Sequence, residues 1–115
     1  MHEYSIVSSL VERVGSAIAL HPGAVAKKLH VRIGELAGVE VNLLRTAYDT
    51  FRPHTACEAA ELSIDEVPAD WRCTGCARPI ANGAILKCPD CGRPARLVAG
   101  DDIILERIEM EVPDV

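Results

Sequence analysis

Apolar residues fall at Val7, Leu10, Val11, Val14 and Ile18, a three-to-four spacing that places one stripe along a helix and predicts a helix over residues 4–20. His21-Pro22-Gly23 ends it, since proline cannot continue a helix and glycine tolerates the reversal. The period then changes to two: Leu29, Val31 and Ile33 alternate with Lys28, His30 and Arg32, the signature of a half-buried strand. Gly34 and Gly38 bracket a turn. A second helix follows, with Leu44, Ala47, Tyr48 and Phe51 on one stripe, stopping near Pro53. Residues 59–67 alternate again, with Ala60, Leu62 and Ile64 against Glu61, Ser63 and Asp65. A last strand over about 103–112 sets Ile104, Ile108, Met110 and Val112 against Arg107, Glu109 and Glu111.

This order predicts an α+β fold: a three-stranded sheet with two helices on one face, its other face open to water. The segment between the second and third strands, bounded by Pro68-Ala69-Asp70 and Ala99-Gly100-Asp101, reads as an inserted subdomain. The expected division is therefore a body of residues 1–67 and 101–115 carrying a subdomain of residues 68–100. Strands joined through a compact insertion are most simply antiparallel neighbours, as in a hairpin whose loop has grown. A strand reached through so long an insertion could be exchanged between copies, so a monomer and a homodimer both fit.

Cys73-Thr74-Gly75-Cys76 and Cys88-Pro89-Asp90-Cys91, separated by eleven residues, explain what the insertion is built around. A C-x2-C turn lets two sulfurs meet one ion, and two such turns supply the four thiolates of a tetrahedral zinc site, a zinc knuckle of zinc-ribbon type. The second pair runs on into Gly92, which accepts the positive φ of a metal-binding turn. Two disulfides would require an oxidising compartment that nothing else in the chain suggests. Few apolar side chains lie in this segment, so it is expected to depend on its ion.

The aromatic residues are only Tyr4, Tyr48, Phe51 and Trp71, so the core must be aliphatic; Trp71 is expected to pack against the knuckles. The chain carries −5 overall, yet residues 71–98 carry a formal +4, much of which offsets the negative thiolate site. With an acidic body and one aromatic in the basic segment, a phosphate footprint is not expected, so nucleic acid is not a predicted partner. No apolar run approaches the ~20 residues a membrane span needs. The first residues lack the pattern of a signal peptide, and metal-spaced cysteines point to the cytoplasm. Neither a phosphate-binding glycine loop nor a nucleophile–base signature occurs, so the chain is not expected to be an enzyme.

Met1-His2-Glu3 offers chemistry if Met1 is the true N-terminus. An α-amine, backbone amides and the His2 imidazole within one tripeptide make a planar nitrogen set suited to Ni²⁺ or Cu²⁺. A frayed end with a solvated histidine is the competing reading.

A start of Met1-His2-Glu3, a helix leading to Val31-Arg32-Ile33-Gly34-Glu35-Leu36, and paired cysteine knuckles, in that order, resemble the HypA/HybF family. These are metallochaperones for nickel insertion into [NiFe]-hydrogenase, and the resemblance spans essentially the whole chain. It implies that His2 is the essential nickel ligand, with Met1 and Glu3 completing or supporting the site. It also implies that Cys73, Cys76, Cys88 and Cys91 hold a structural zinc. The partners it implies are an accessory GTPase and the hydrogenase large-subunit precursor. Glu35 and Glu40 lie near the glycine-bracketed turn, where the family can carry acidic groups facing the nickel end or a partner; a solvated or helix-N-terminal charge is the default. Cys57 reads as a small apolar filler, and His21, His30 and His54 have no partner at ligand spacing. The alternatives are a zinc-ribbon module that binds protein or nucleic acid, and an electron carrier holding iron in the same knuckles, as rubredoxins do.

Overall fold

The computed structural model describes residues 3–81 and 85–113. The element order is α1 (Glu3–Ile18), β1 (Val25–Gly34), α2 (Val41–Phe51), β2 (Glu61–Val67), β3 (Asp70–Cys73), β4 (Pro79–Ile80), β5 (Ala95–Ala99) and β6 (Ile103–Glu111). The helices form where the apolar stripes predict them. Val7, Leu10 and Val14 of α1 are buried against Leu44, Ala47 and Tyr48 of α2 and against Leu29, Val31 and Ile33 of β1. The opposite face of β1 carries Lys28, His30 and Arg32, as its alternation requires.

The sheet order is β2-β1-β6, so the two strands flanking the insertion are not the antiparallel neighbours expected from the sequence. β1 lies between them, parallel to β2 and antiparallel to β6. The connection from β1 to β2 explains the difference. It contains α2, a crossover long enough to return the chain to the same end of the sheet, which a parallel pair requires. The central position therefore falls to the strand with the most continuous apolar face.

β6 also departs from expectation in its phase. Ile103 and Leu105 face the core, with Ile108 one residue out of step, while Ile104 is 45% exposed. His30 pairs with Arg107 and Val31 with Leu105, leaving Glu106 as an extra residue in the strand. A bulge of this kind reverses the face of everything beyond it. Phe51, at the fraying end of α2, is 38% exposed rather than in the core stripe.

Cys57 is fully buried in the core, as a filler should be. Beside it the Tyr48 hydroxyl donates to Ala60 O at 2.7 Å and Arg52 Nη1 donates to the same carbonyl at 2.6 Å. Burial, followed by the neighbouring Cys57, holds the Tyr48 phenol well above its ordinary range; burial likewise pushes the Cys57 thiol up. Both groups are neutral parts of the core that tie the end of α2 to the start of β2.

The insertion is more than two knuckles. It forms its own three-stranded sheet, order β4-β3-β5, both pairs antiparallel. Its β3 follows β2 after two residues and its β5 precedes β6 after three. Both passages are fastened to the turn after β1. Glu35 N donates to Val67 O at 2.8 Å, Leu36 N to Gly100 O at 2.7 Å, and Gly34 N to Asp102 O at 2.8 Å. The Glu35 carboxylate accepts from Ala69 N at 2.8 Å. The backbones approach so closely that a Cβ on Gly34 would lie 2.1 Å from Gly100 C, and one on Gly100 would lie 2.7 Å from Ala69 Cα. Gly100 also has φ of 103°.

Gly100→Ala should therefore cost about 1–3 kcal/mol, from left-handed strain together with backbone overlap. Denaturant titration of the zinc-loaded protein measures it, and wild-type stability in the variant would show that the passage has room to relax.

Candidate metal centre

Cys73 ends β3, and its knuckle turns back into β4; Cys88 and its knuckle precede β5. The two turns repeat the same backbone pattern. Cys73 N donates to Arg78 O (3.0 Å) and Ala77 N to Cys73 O (3.1 Å); Cys88 N donates to Arg93 O (2.8 Å) and Gly92 N to Cys88 O (3.0 Å). Gly92, after the second pair, has φ of 72°; after the first pair Ala77 takes φ of 60°. An alanine does not signal that conformation, so the equivalence of the two turns is invisible in the residue types.

The turns bring Cys73, Cys76, Cys88 and Cys91 together, one sulfur from each lying within 4.8 Å of every other. The Cys76–Cys88 sulfurs are 3.8 Å apart and the Cys73–Cys91 sulfurs 3.2 Å. A tetrahedron with metal–sulfur bonds of about 2.3 Å has edges of about 3.8 Å, so the cluster fits a zinc ion. Cys73 and Cys88 are buried while Cys76 and Cys91 are exposed, which leaves one side of the site open to protons and chelators. Trp71 and Ala95 pack against Cys73, Ile80 and Cys88, the contact expected of Trp71. An Arg78–Asp90 ion pair joins one knuckle to the other.

The Cys73 and Cys91 thiols, whose sulfurs adjoin, are shifted in opposite directions. The N–H groups of Gly75 and Cys76 point at Cys73 Sγ from 3.3 and 3.4 Å. The Cys76 N–H, the neighbouring Cys91 thiol and the Gly75 N–H lower the Cys73 pKa to about 6. Cys91 moves the other way, to about 11: the Arg93 N–H favours its thiolate, but the adjoining Cys73 and Cys88 sulfurs outweigh that. A cation among the four sulfurs favours their thiolate forms, so metal binding releases protons.

Of the other predicted site, only Glu3 falls within the described residues. Met1 and His2 lie outside them. Glu3 heads α1, and its Oε2 accepts from Glu40 N at 3.4 Å. Glu40 is the N-cap of α2, its own carboxylate accepting from Asn42 N at 3.1 Å and Leu43 N at 3.2 Å. The two helix N-termini therefore meet, each carrying a carboxylate compensated by the positive end of its own helix. Residues 37 positions apart show no such link in the sequence. Glu35 is placed at the fastening between the two sheets, not at this end.

His30, which sequence spacing left without a partner, meets the Glu109 carboxylate across the outer face of the sheet. That hydrogen bond, foremost, holds the Glu109 carboxyl below its usual range. The register of β1 against β6 creates the pair, and neither residue announces it alone.

An α+β body with a second sheet grown around a four-cysteine knuckle defines a small protein with a zinc-binding module. A family model described as "Hydrogenase/urease nickel incorporation, metallochaperone, hypA" matches residues 1–110, and the chain belongs to this HypA family. It is 35% identical over 113 residues to the hydrogenase maturation factor HypA of Shewanella baltica strain OS185, covering 96% of this chain and 97% of that one. It is 34% identical over 117 residues to the HypA of Wolinella succinogenes, covering 99% and 98%. The solution structure of the Ni metallochaperone HypA from Helicobacter pylori superposes with a TM-score of 0.70 at 26% identity, covering 98% of this chain and all of that one. A second HypA solution structure gives 0.77 at 26% identity, covering 98% of each chain.

Ala77→Gly should relieve the strained turn and stabilise the zinc-loaded module by a few tenths to about 1 kcal/mol; thermal unfolding followed by Trp71 fluorescence reads this out, and a loss of stability would contradict it. Zinc retention should fall as pH falls, because protons re-occupy the thiolates the ion displaced them from. Metal release to a chromogenic chelator across pH 5–8 measures it, and a flat profile would argue against thiolate ligation.

Proposed function

We propose that this chain binds Ni²⁺ at its N-terminus, through His2 with Met1 and Glu3. It then helps deliver the ion to the large-subunit precursor of a [NiFe]-hydrogenase in concert with an accessory GTPase. Cys73, Cys76, Cys88 and Cys91 hold a zinc ion that organises residues 68–100, while residues 1–67 and 101–115 form the nickel-binding body. The protein acts in the cytoplasm as a monomer or homodimer and is not itself an enzyme: a zinc with four protein sulfurs has no open position for activating water. Among the described residues no helix is long and apolar enough to cross a membrane.

The observation that carries this reading is the meeting of Glu3 with Glu40 at the two helix N-termini. It ties Glu3, the residue next to His2 in sequence, to the folded body. Family membership over residues 1–110 supports the same reading. The ligand chemistry separates the two metals. Four soft thiolates suit zinc, and an amine, amides and an imidazole suit Ni²⁺.

Calorimetric titration of nickel into untagged protein, an N-terminally extended form and His2→Ala tests the proposal, each form checked for zinc content. The extension and the substitution should each weaken nickel binding at least tenfold and leave zinc at one per chain. Affinity in the wild type should also fall as pH drops through about 6.5, where free imidazole protonates. Equal affinity in all three forms would place the nickel site elsewhere.

A further inference from the structure

The two cysteine turns, residues 73–76 and 88–91, touch through more than their sulfurs. Thr74 of the first turn donates twice to Pro94 O, from its backbone N at 3.1 Å and from Oγ1 at 2.9 Å. Pro94 follows the second turn and directly precedes β5. Arg78, two residues after Cys76, pairs with Asp90 of the second turn.

Gly75 marks a third crossing. It does not share the left-handed φ of Gly92, so its own backbone conformation does not call for glycine. Its neighbour does. A Cβ on Gly75 would lie 2.6 Å from Arg93 Cδ, 2.9 Å from Nη1 and 3.2 Å from Nε. The Arg93 side chain therefore leaves the second turn and lies across the backbone of the first, in the space a side chain at position 75 would take. Its backbone stays with the second turn, where Arg93 O accepts from Cys88 N at 2.8 Å. Arg93 is built into both turns at once.

The ion these turns fit has an open side, because Cys76 and Cys91 are exposed. Such a site loses its metal stepwise: one thiolate leaves, and an incoming ligand replaces it before it can return. A contact that holds the two turns together keeps the released sulfur at high effective concentration and favours its return. The guanidinium also places a positive charge beside a centre that is net negative with zinc bound.

We propose that Arg93, seated on Gly75, is a positioning residue that clasps the two turns and slows the exchange of their zinc ion. Residue 75 is small in order to admit it. In a protein with a second ion to carry, slow exchange keeps the structural ion apart from the cargo. That consequence rests on the nickel reading; the clasp does not.

The test follows zinc transfer from zinc-loaded, nickel-free protein to an excess of chromogenic chelator at fixed pH and ionic strength, so the nickel site plays no part in the outcome. Gly75 and Arg93 are both exposed, so neither substitution opens a core, and each variant is first checked for one zinc per chain. Arg93→Ala should speed zinc loss about threefold to fivefold, the size of effect an exposed charged contact gives. Gly75→Ala should speed it comparably, because the added methyl displaces the arginine. In the double variant the methyl has nothing to displace, so Gly75→Ala should add nothing to Arg93→Ala. Arg93→Lys, which keeps the charge and a long stem, should recover part of the lost retention. Arg96→Ala removes the same charge from β5 and should leave the rate near that of the wild type. An unchanged rate in Arg93→Ala, or a lysine no better than alanine, would overturn the proposal. Equal acceleration in Arg96→Ala would reduce it to net charge, and effects that multiply in the double variant would show that Gly75 and Arg93 act independently; either result also overturns it.

Discussion

Four sulfurs held within 4.8 Å of one another make a stable arrangement only around a cation, and the outer half of the molecule is organised by that requirement. The buried cluster there contains Cys73, Ile80 and Cys88, with Trp71 and Ala95 against it, too little apolar surface to hold a second sheet by burial alone. The thiolates are therefore both the site and the core of this module. The same constraint explains its charge. Arg72, Arg78, Lys87, Arg93 and Arg96 all lie in the segment that carries this centre, which stays net negative with zinc bound. A basic surface that invites a nucleic-acid reading is in large part the counter-charge of the metal site.

What the module does for the body depends on how it is attached. Both chain passages between the sheets bond to the single turn after β1, through Glu35, Leu36 and the Gly34–Gly100 contact. The module is thereby fastened to the central strand of the main sheet. Residues 37–39 lead from that turn to Glu40, whose N–H reaches Glu3. One short stretch of backbone thus connects the zinc-bearing half with the end where nickel is proposed to bind.

Much of this was legible in the chain because local physics dictates it. The stripes of α1 and α2, the alternation of β1 and β2, and the two C-x2-C turns each write a period or a spacing that one segment suffices to read. What was not legible depends on pairing between distant segments. The central position of β1 rests on a crossover through α2. The phase of β6 rests on the bulge at Glu106, which exists only against β1. The β4-β3-β5 sheet uses strands of two to five residues, too short to show alternation. At the sites, the four cysteines were plain from spacing, whereas the Glu3–Glu40 meeting, the His30–Glu109 pair and the strained turn at Ala77 arise from tertiary placement.

The central claim is a division of labour: soft thiolates for the ion that shapes the protein, nitrogen and oxygen donors for the ion it carries. X-ray absorption at both metal edges of protein loaded with one zinc and one nickel tests this most directly. The zinc edge should show four sulfur neighbours at about 2.3 Å, and the nickel edge nitrogen and oxygen neighbours and no sulfur. Sulfur around nickel, or nitrogen and oxygen replacing sulfur around zinc, would contradict it.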